Sequence, residues 1–413
     1  MDLRRVLVCE RGPMAGYIVG ALRRMGIESV VLFHKDAEQV PYASEAAFGV
    51  PMPQSAEPLP DQLMALAMDA GCDGVHPGAG PLAEDADFAA RVEELNLVFI
   101  GPRPMLIRAT ADRWTTREVA VGAGIPVVAG SPPLQDPDSV QQWFDQLGSP
   151  VWVKDSRGWR AASLDTAQSA ARVVSVRLGT GVGRVWLEQH VADARHLVVS
   201  VIGDESGQVV SLGERERIVR RGDAMTLDVF PAPVSDDLRI AAGTAAVTLA
   251  STLGFVGVAS VGFLADQTGG LRCLGLRPRL QVGDLLADTL HGLNSVELQV
   301  RLALGESLGW SAEDLDASGA VIGVRIRAQE KGTLTALDLP EGTTFQTSCA
   351  VGLPADGLLG VLVVAGQTRQ AAVIKATAAL RAITIGGVET DIASHLDALG
   401  DPEFWRGQPV RTP

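Results

Sequence analysis

The 413-residue sequence predicts an α/β protein with an N-terminal parallel sheet and a large C-terminal lobe of mixed α+β structure. Strand and helix patterns alternate through the first part of the chain, whereas β patterns dominate from residue 192 onwards. Apolar residues make up 46% of the chain and aromatic residues only 5%, which indicates an aliphatic sheet core under helices. The length suits about two or three packed lobes.

The N-terminal alternation can be followed segment by segment. "RVLVCE" is typical of a short apolar strand, "GPMAGYIVGALRRMGI" of a helix with an apolar stripe, and "SVVLF" of a second strand. "DQLMALAMDAGCDGVHPG" and "FAARVEELNLVFIGP" each indicate a helix followed by a strand and a turn. Such alternation predicts parallel strands with helices on both faces of the sheet.

The rest of the chain divides into three predicted parts. Residues 102–127 have helical patterns without a strand signal, and residues 128–191 hold "PVWVKDS" and "RVWLEQHV" on either side of a helix, which suits a small lid. From 192, we expect a hairpin around Gly203, Asp204 and Gly207, and then the long helix "DDLRIAAGTAAVTLASTLG". The predicted divisions are therefore 1–101, 102–127, 128–191 and 192–413.

Charge and composition exclude several classes of protein. A net charge of −14 argues against a nucleic-acid partner, because phosphate backbones favour basic surfaces. No apolar run is long enough for a membrane span, and "MDLRRVLVCERG" lacks a signal-peptide core, so we expect a cytoplasmic protein without a membrane partner. The cysteines are scattered without metal-ligand spacing, which predicts neither disulfide nor zinc; they are Cys9, Cys72, Cys273 and Cys349.

Short motifs spread over essentially the whole chain form one ordered series. They are Arg11-Gly12, "HPGAGPLAEDADFA" (His76 to Ala89), "FIGP", "PVWVKDS" with Lys154, "VWLEQHV" then "ARH" with Glu188 and His196, "LGERERIVRRGD…FPAP" to Pro233, "VRIRA" with Arg325, and "GGVETD" (Gly386 to Asp391). In this order they resemble the biotin carboxylase component of biotin-dependent carboxylases. The resemblance implies an ATP-grasp fold with a Rossmann-like N-terminal sheet, a lid and a mixed C-terminal domain.

The resemblance also implies demanding chemistry. Biotin carboxylases phosphorylate bicarbonate with ATP and carboxylate biotin through the resulting carboxyphosphate. The triphosphate needs Mg²⁺ held by carboxylate oxygens, and its oxygens need backbone N–H groups from a glycine-rich loop. Bicarbonate needs cationic donors and a general base.

The magnesium ligands of the family are missing here. Its two glutamates align with Gly262 and Gly275, and its metal-facing asparagine aligns with Arg277. Glycine has no side-chain oxygen, and an arginine repels a dication by about 8 kcal/mol at about 4 Å in an effective dielectric of about 20. We therefore expect no metal site, and ATP and Mg²⁺ should not bind productively.

Other catalytic positions have changed as well. The phosphate loop reads "KDSRGWRAASL", in which Gly158 is the only glycine and Arg157 and Trp159 are bulky. The general-base glutamate aligns with Gly283. The remaining changes concern the second nucleotide lysine, the phosphate-facing Gln, His and Lys, and a turn tyrosine, which align with Arg113, Arg220, Asp223, Met225 and Ala79.

Part of the family pattern is retained. Arg279, Gln281, Val282 and Arg325 match the bicarbonate and biotin side, and the nucleotide-binding remnants are Arg113, Lys154, Glu188 and His196. One interpretation is a residual anion pocket, to which Arg220 and Arg277 would also contribute. The preferred alternative is that these arginines form structural ion pairs with Glu214, Asp228 or Asp284.

These observations favour a catalytically inactive homologue with a structural or regulatory role. The resemblance implies partners in an acyl-CoA carboxylase assembly, namely an active biotin carboxylase, a biotin carrier and a carboxyltransferase. The chain lacks a Met-Lys-Met biotinylation stretch, and the changed helix with Tyr17, Gly20 and Arg24 puts the family homodimer in question.

Two alternatives remain open at this stage. One is a metal-independent sensor of a nucleotide, another anion or acyl-CoA, and an open, arginine-lined cleft would favour it. A cleft filled by Trp159, Met225 or Arg277 would instead favour a scaffold. The other alternative is an active carboxylase with displaced ligands such as Asp223, Asp266 or Asp284.

Overall fold

The computed structural model describes residues 3–34, 39–52, 59–158, 160, 163–220, 225–315, 318–340 and 343–407. Trp159 and Asp223 lie outside these residues, as does the side chain of Arg220. The predictions for Trp159, Asp223 and the Arg220 side chain therefore lie outside the described part of the chain.

The chain begins with a five-stranded sheet in the order β3-β2-β1-β4-β5, in which every neighbouring pair is parallel. Its elements are β1 (Arg5–Val8), α1 (Met14–Arg24), β2 (Glu28–His34), α2 (Pro41–Glu45), β3 (Phe48–Met52), α3 (Pro60–Asp69), β4 (Gly74–His76), a 3₁₀ turn (Pro81–Glu84), α4 (Ala86–Glu94) and β5 (Val98–Phe99). The parallel sheet predicted from the alternating pattern is confirmed.

A helical connection and a small antiparallel lid follow. The elements are α5 (Pro104–Ala111), α6 (Arg113–Gly122), α7 (Val140–Leu147), β6 (Val151–Asp155), α8 (Ala167–Gly179) and β7 (Val185–Gln189). β6 pairs antiparallel with β7, and α7 and α8 cover an aliphatic core that includes Val151, Val153 and Leu187. Helix α6 begins where it does because the Asp112 carboxylate accepts hydrogen bonds from the N–H groups of Trp114 and Thr115.

The start of α6 also attaches the lid to the body of the protein. The Arg113 N–H donates to the carbonyl of Ser156 at 2.9 Å, and Arg184 pairs with Asp112 at 2.7 Å. The rings of Trp114 and Trp186 meet edge to face with centroids 5.3 Å apart. Helix α6 therefore fixes the position of β6 and β7 over the large sheet.

The large sheet has eight strands in the order β12-β11-β8-β9-β10-β13-β18-β16, all antiparallel. They are β8 (Arg195–Gly203), β9 (Val209–Arg220), β10 (Met225–Phe230), β11 (Gly257–Ala265), β12 (Leu271–Arg277), β13 (Ala320–Arg327), β16 (Thr344–Thr347) and β18 (Leu358–Gly366). Four short strands form two separate pairs, β14 (Gly332–Thr333) with β17 (Pro354–Ala355) and β15 (Ala336–Asp338) with β19 (Thr384–Gly386).

Helices cover this sheet and build its cores. They are α9 (Asp236–Thr252), α10 (Asp284–His291), α11 (Ser295–Ala303), a 3₁₀ turn (Ala312–Asp314), α12 (Arg369–Ala382), α13 (Ile392–Gly400) and α14 (Pro402–Trp405). α9 packs on β8 and β9, and α12 packs on β13 and β18. Within the described residues, no helix has the length and apolar character of a membrane span.

Candidate functional site

Two glycines face each other on the floor of the cleft beneath the lid. Gly262 on β11 pairs with Gly275 on β12, and the register shifts directly beyond this pair, so that Leu274 is the extra residue of a β-bulge. Gly275 has φ +122°, a conformation that side-chain-bearing residues rarely adopt. A Cβ atom at Gly262 would lie 3.6 Å from Cβ of Leu274. The floor therefore offers backbone and apolar atoms where the resemblance implies two carboxylates.

A guanidinium group lies beside this floor. Nη1 of Arg113 donates to the carbonyl of Leu276 at 2.8 Å, and it would lie 3.9 Å from a Cβ atom on Gly275. The position is set by the N-terminus of α6, which Asp112 caps. A guanidinium group, where the resemblance implies a lysine, thus lies at the edge of the glycine floor.

Three arginines converge on one carboxylate, and we call Glu84, Arg113, Arg277 and Arg279 the Glu84 cluster. Glu84 lies 2.7 Å from Arg279, 3.4 Å from Arg277 and 3.7 Å from Arg113. Burial raises the pKa of Glu84, but the arginines outweigh it and hold that pKa below its usual value. Burial first, and then repulsion from Arg277, lowers the pKa of Arg113 to about 10.

A second set of charges lies deeper in the site. Asp228 on β10 pairs with Arg325 at 2.8 Å, with Arg217 at 3.2 Å and with Arg215 at 3.7 Å. Burial raises the pKa of Asp228, yet the three arginines bring it down to about 2, so the group is ionised at neutral pH. Asp284 also accepts from Arg215, at 3.3 Å.

The second set of charges also fills the space beside Gly283, where the resemblance implies the general base. Gly283 precedes α10, and a Cβ atom there would lie 2.1 Å from Nε and 2.4 Å from Cζ of Arg215. The Arg215 side chain is only 1% exposed, and its Nη atoms bond Ser200, Asp284 and Gln281. A glutamate at 283 would have to displace a buried guanidinium group that is held by several partners.

The other end of the cleft holds three of the four residues that the resemblance assigns to nucleotide binding, Lys154, Glu188 and His196. Lys154 on β6 pairs with Glu188 on β7, which also accepts from Nε1 of Trp186 at 2.8 Å and from Arg117 at 3.4 Å. Burial, followed by the repulsion of nearby arginines, lowers the pKa of His196 to about 3, so its ring is neutral.

The described residues enclose a cavity of about 350 Å³ between the lid and the large sheet. Its charged lining among these residues consists of six cationic and two anionic side chains, namely Arg113, Arg117, Lys154, Arg160, Arg217 and Arg277, with Asp155 and Glu188. A further cavity of about 420 Å³ shares Lys154 and Glu188 with it and extends past Trp152 and His190. In the described part of the chain, no group of three or more His, Cys, Asp or Glu residues could hold a metal ion.

The donor set therefore does not fit magnesium. Mg²⁺ requires oxygen ligands in near-octahedral geometry. The two carboxylates that line the cavity in the described ranges are already paired, Glu188 with Lys154 and Asp155 with Arg177. Arg277, where the resemblance implies a metal-facing asparagine, would repel the ion.

The residues that match the family on the bicarbonate and biotin side lie near one another. The sequence predicted the ion-pair partner of one of their two arginines but not of the other. Arg325 pairs with Asp228, one of the three acids named as structural partners. Arg279 pairs instead with Glu84 and donates to the carbonyl of Ala79 at 2.6 Å. Of the other two retained residues, Gln281 lines the cavity together with Arg277, and Val282 packs against the hydrophobic core that includes α10.

Met225 does not fill the cleft. Its side chain is fully buried in the core that α12 forms with the large sheet. Arg277, in contrast, does line the cavity.

Sequence reasoning missed Glu84, Arg215 and Arg217. The last two stand two positions apart in "GERERIVRR", so strand periodicity places both on the face that carries the cavity. Glu214 and Glu216, on the opposite face, pair with Arg239 and Arg195. A period-two analysis of β9 would have found the arginines, whereas Glu84 is the last residue of a 3₁₀ turn that has no periodic signal.

Comparisons with known proteins agree with this architecture. Residues 2–107 match the biotin carboxylase N-terminal domain, and residues 112–310 match the ATP binding domain of the carbamoyl-phosphate synthase L chain. Biotin carboxylase 2 of Bacillus subtilis is 30% identical over 98% of this chain and 97% of its own length. The chain belongs to the biotin carboxylase family. The chloroplastic biotin carboxylase of Arabidopsis thaliana is 32% identical over 98% of this chain and 80% of its own length.

A solved structure of the biotin carboxylase family extends the likeness to three dimensions. It is the biotin carboxylase domain dimer of Hydrogenobacter thermophilus 2-oxoglutarate carboxylase, in complex with MgADP, ADP and bicarbonate. It matches with a TM-score of 0.92 and 26% identity over 99% of this chain and 96% of that one. The ATP-grasp biotin carboxylase fold expected from the motifs is thus confirmed, and the chain is a biotin carboxylase homologue.

Proposed function

We propose that this biotin carboxylase homologue does not catalyse ATP-dependent carboxylation and has a structural or regulatory role in a biotin-dependent carboxylase assembly. The observation that carries the proposal is the floor of the cleft. Gly262 and Gly275 offer no side-chain oxygen there, and Arg277, where the resemblance implies an asparagine, lines the same cavity. Phosphoryl transfer depends on charge neutralisation by metal ions, so this floor argues strongly against it.

The base position supports the same proposal independently. A carboxylate at Gly283 would abstract the bicarbonate proton in the family mechanism, but the guanidinium group of Arg215 occupies that space. The displaced-ligand alternative loses support as well. Asp284 is buried against Arg215 and Ser200, and Asp266 lies in the turn between β11 and β12, paired with Arg272.

A structural role requires a folded core, and the described residues form one. The lid, the parallel sheet and the eight-stranded sheet all have continuous aliphatic cores. A Hydrogenobacter thermophilus relative is named the small subunit of 2-oxoglutarate carboxylase, and one solved structure is the biotin carboxylase subunit of pyruvate carboxylase. These names support an assembly for the present chain, in which we propose an active biotin carboxylase, a biotin carrier or a carboxyltransferase as partner. The alternative assembly is a homodimer, which affinity purification distinguishes from a complex with other carboxylase subunits.

The catalytic half of the proposal is tested by ATP hydrolysis with Mg²⁺, bicarbonate and biotin, with a catalytically active relative assayed in parallel. We expect only background turnover. The Lys154→Ala variant is the matched control, because a contaminating ATPase is unaffected by it. Turnover above background that Lys154→Ala abolishes would refute the proposal.

The assembly half is tested by affinity purification of the full chain from its own cells at physiological salt, followed by detection of biotin. We expect a biotinylated carrier or a carboxyltransferase to co-purify. An active carboxylase of the same cells, purified in parallel, shows whether such complexes survive the procedure. If that complex survives while this chain is recovered alone or as a homodimer, the proposed role is contradicted.

A further inference from the structure

Three parts of the chain meet at Arg113, the first residue of α6. Its N–H group donates to the carbonyl of Ser156 in the lid at 2.9 Å. Its Nη1 donates to the carbonyl of Leu276 on β12 at 2.8 Å, and its Nη2 lies 3.7 Å from the carboxylate of Glu84, in the 3₁₀ turn after β4. Arg113 therefore connects the lid, the large sheet and the N-terminal parallel sheet.

The lid loop that follows β6 rests on the same side chain. Gly158 in this loop has φ +84°, and a Cβ atom there would lie 3.1 Å from Nε and 3.5 Å from Cγ of Arg113. The loop backbone thus approaches Arg113 more closely than a residue with a side chain readily would. Where the resemblance implies a nucleotide lysine and a phosphate loop, the arginine and the loop contact each other.

Further contacts attach the lid to the same helix. Asp112, the N-cap of α6, pairs with Arg184 of the lid at 2.7 Å, and the backbone N–H of Arg184 donates to the hydroxyl of Ser156 at 3.1 Å. About one turn further along α6, Arg117 lies 3.4 Å from Glu188 on β7. All of these partners are groups of the chain itself, so these contacts do not depend on a ligand.

The Glu84 cluster holds the Arg113 side chain from the other direction. Its arginines keep the pKa of Glu84 below the usual value, so the carboxylate is ionised at neutral pH. Arg279 shares Glu84 and also donates to the carbonyl of Ala79 at 2.6 Å, which ties the N-terminal turn to the segment after β12. The Arg113 side chain is only 12% exposed, so water competes weakly for these contacts.

We propose that Arg113 is a latch that holds the lid closed over the cleft without any ligand. This inference rests on the proposed function, because an enzyme must open its site to take up substrates and release products, whereas a scaffold can keep one conformation. The latch gives partner subunits a single fixed surface made of the lid and both sheets.

The position of the lid is measured by electron–electron double resonance between two spin labels on the full chain. The label sites are Gln142→Cys on α7 of the lid and Glu94→Cys on α4, both exposed, in a Cys349→Ser background. The other three cysteines are buried and do not take the label. We expect one narrow distance distribution in EDTA that ATP with Mg²⁺ leaves unchanged. A broad distribution in EDTA, or a shift on addition of ATP and Mg²⁺, overturns the inference.

The backbone amide of Arg113 reports on the latch directly. It is the first residue of α6, so its N–H has no acceptor within the helix and is protected from hydrogen exchange by the carbonyl of Ser156. We expect Arg113→Ala to broaden the distance distribution and to speed exchange of this amide about tenfold, the usual effect of losing one or two hydrogen bonds.

Two more variants keep this test decisive. Arg113→Lys retains the charge if Arg113→Ala fails to fold, and we expect a smaller effect in the same direction, because an ammonium group lacks the planar fork that reaches Leu276 and Glu84 together. The matched control is Arg108→Ala on α5, whose side chain is 65% exposed and pairs with Asp87 on α4, outside the lid. If both changes at position 113 leave the lid as Arg108→Ala does, there is no latch.

The failure of this inference and the failure of the proposed function give different results. ATP turnover with Mg²⁺ refutes the proposed function, whatever the lid distances show. A mobile lid without turnover leaves the proposed function standing and removes only the latch.

Discussion

Replacing Gly283 with alanine tests the closure of the base position with a single added atom. Gly283 has φ −71°, a conformation open to every residue, so the backbone itself does not oppose the change. At such positions Gly→Ala usually stabilises a protein by about 0.4–1 kcal/mol, because the unfolded chain loses freedom. The contacts of the new Cβ atom therefore determine whether Gly283→Ala stabilises or destabilises the protein.

Those contacts predict destabilisation. The new atom would lie 2.1 Å from Nε, 2.4 Å from Cζ and 2.8 Å from Nη2 of Arg215. Arg215 cannot swing away without cost, because its guanidinium group is the partner of buried Asp228 and Asp284. Overpacking of this kind costs about 1–3 kcal/mol, and more if a buried ion pair breaks.

The assay is urea denaturation followed by circular dichroism, with Gly122→Ala as the control. Gly122, at the end of α6, has no atom within 4 Å of its ideal Cβ position. We expect Gly283→Ala to lower the free energy of unfolding by about 1–3 kcal/mol and Gly122→Ala to leave it unchanged or raise it. In an Arg215→Met background, the added cost of Gly283→Ala should disappear, because the blocking atoms are gone.

Two results would refute this reasoning. The first is a Gly283→Ala protein as stable as the Gly122→Ala control. The second is the same cost with and without Arg215, which would mean that the two residues do not touch.

Three further predictions concern other parts of the molecule. Gly275→Ala should lower the free energy of unfolding by about 1–2 kcal/mol because of the positive φ at Gly275. Gly262→Ala should cost less, because a Cβ atom there meets its neighbours at ordinary contact distances. Urea denaturation of both variants checks this, and equal costs would contradict the bulge. Burial raises the pKa of Asp288 to about 6, so the folded protein holds a proton that the unfolded chain releases above about pH 4. Through Asp288 alone, the free energy of unfolding should therefore fall by about 2–3 kcal/mol between about pH 4 and 6, and in Asp288→Asn the fall should be smaller by that amount; the same pH dependence in the variant and the unchanged protein rules this out. Trp114→Val should speed amide exchange in β6 and β7 by removing the contact with Trp186, while exchange in α12 stays constant; unchanged lid exchange argues against attachment through α6.

The elements of the fold were predictable because their signals are local. Alternating strand and helix patterns identified the parallel sheet, and "DDLRIAAGTAAVTLASTLG" identified α9, which Ser235 caps at its start. The bulge at Leu274 was not predictable, because it depends on how β12 pairs with β11. Pairing register is a property of two segments, and neither carries it alone.

The candidate site shows the same division. The glycines at 262 and 275 can be identified in the sequence, and the resemblance alone implies that they replace metal ligands. The partner of Arg279 could not be identified, since Glu84 is 195 positions away, and the preferred acids were Glu214, Asp228 and Asp284. Asp228 does pair with Arg325, but through the adjacency of β10 and β13 that only the sheet order establishes.

The amino-acid sequence by itself determined the order of the elements through short-range periodicity, and its ordered motifs carried the resemblance that implied the ATP-grasp family and the glycines at its metal positions. Only the tertiary structure decided which charges meet. It brought Arg113 to the glycine floor, gave three arginines one shared carboxylate and set Arg215 against Gly283. Electrostatic energy depends on the distances in space between residues that are far apart in the chain, so the sign of the net charge in the cleft is a property of the fold.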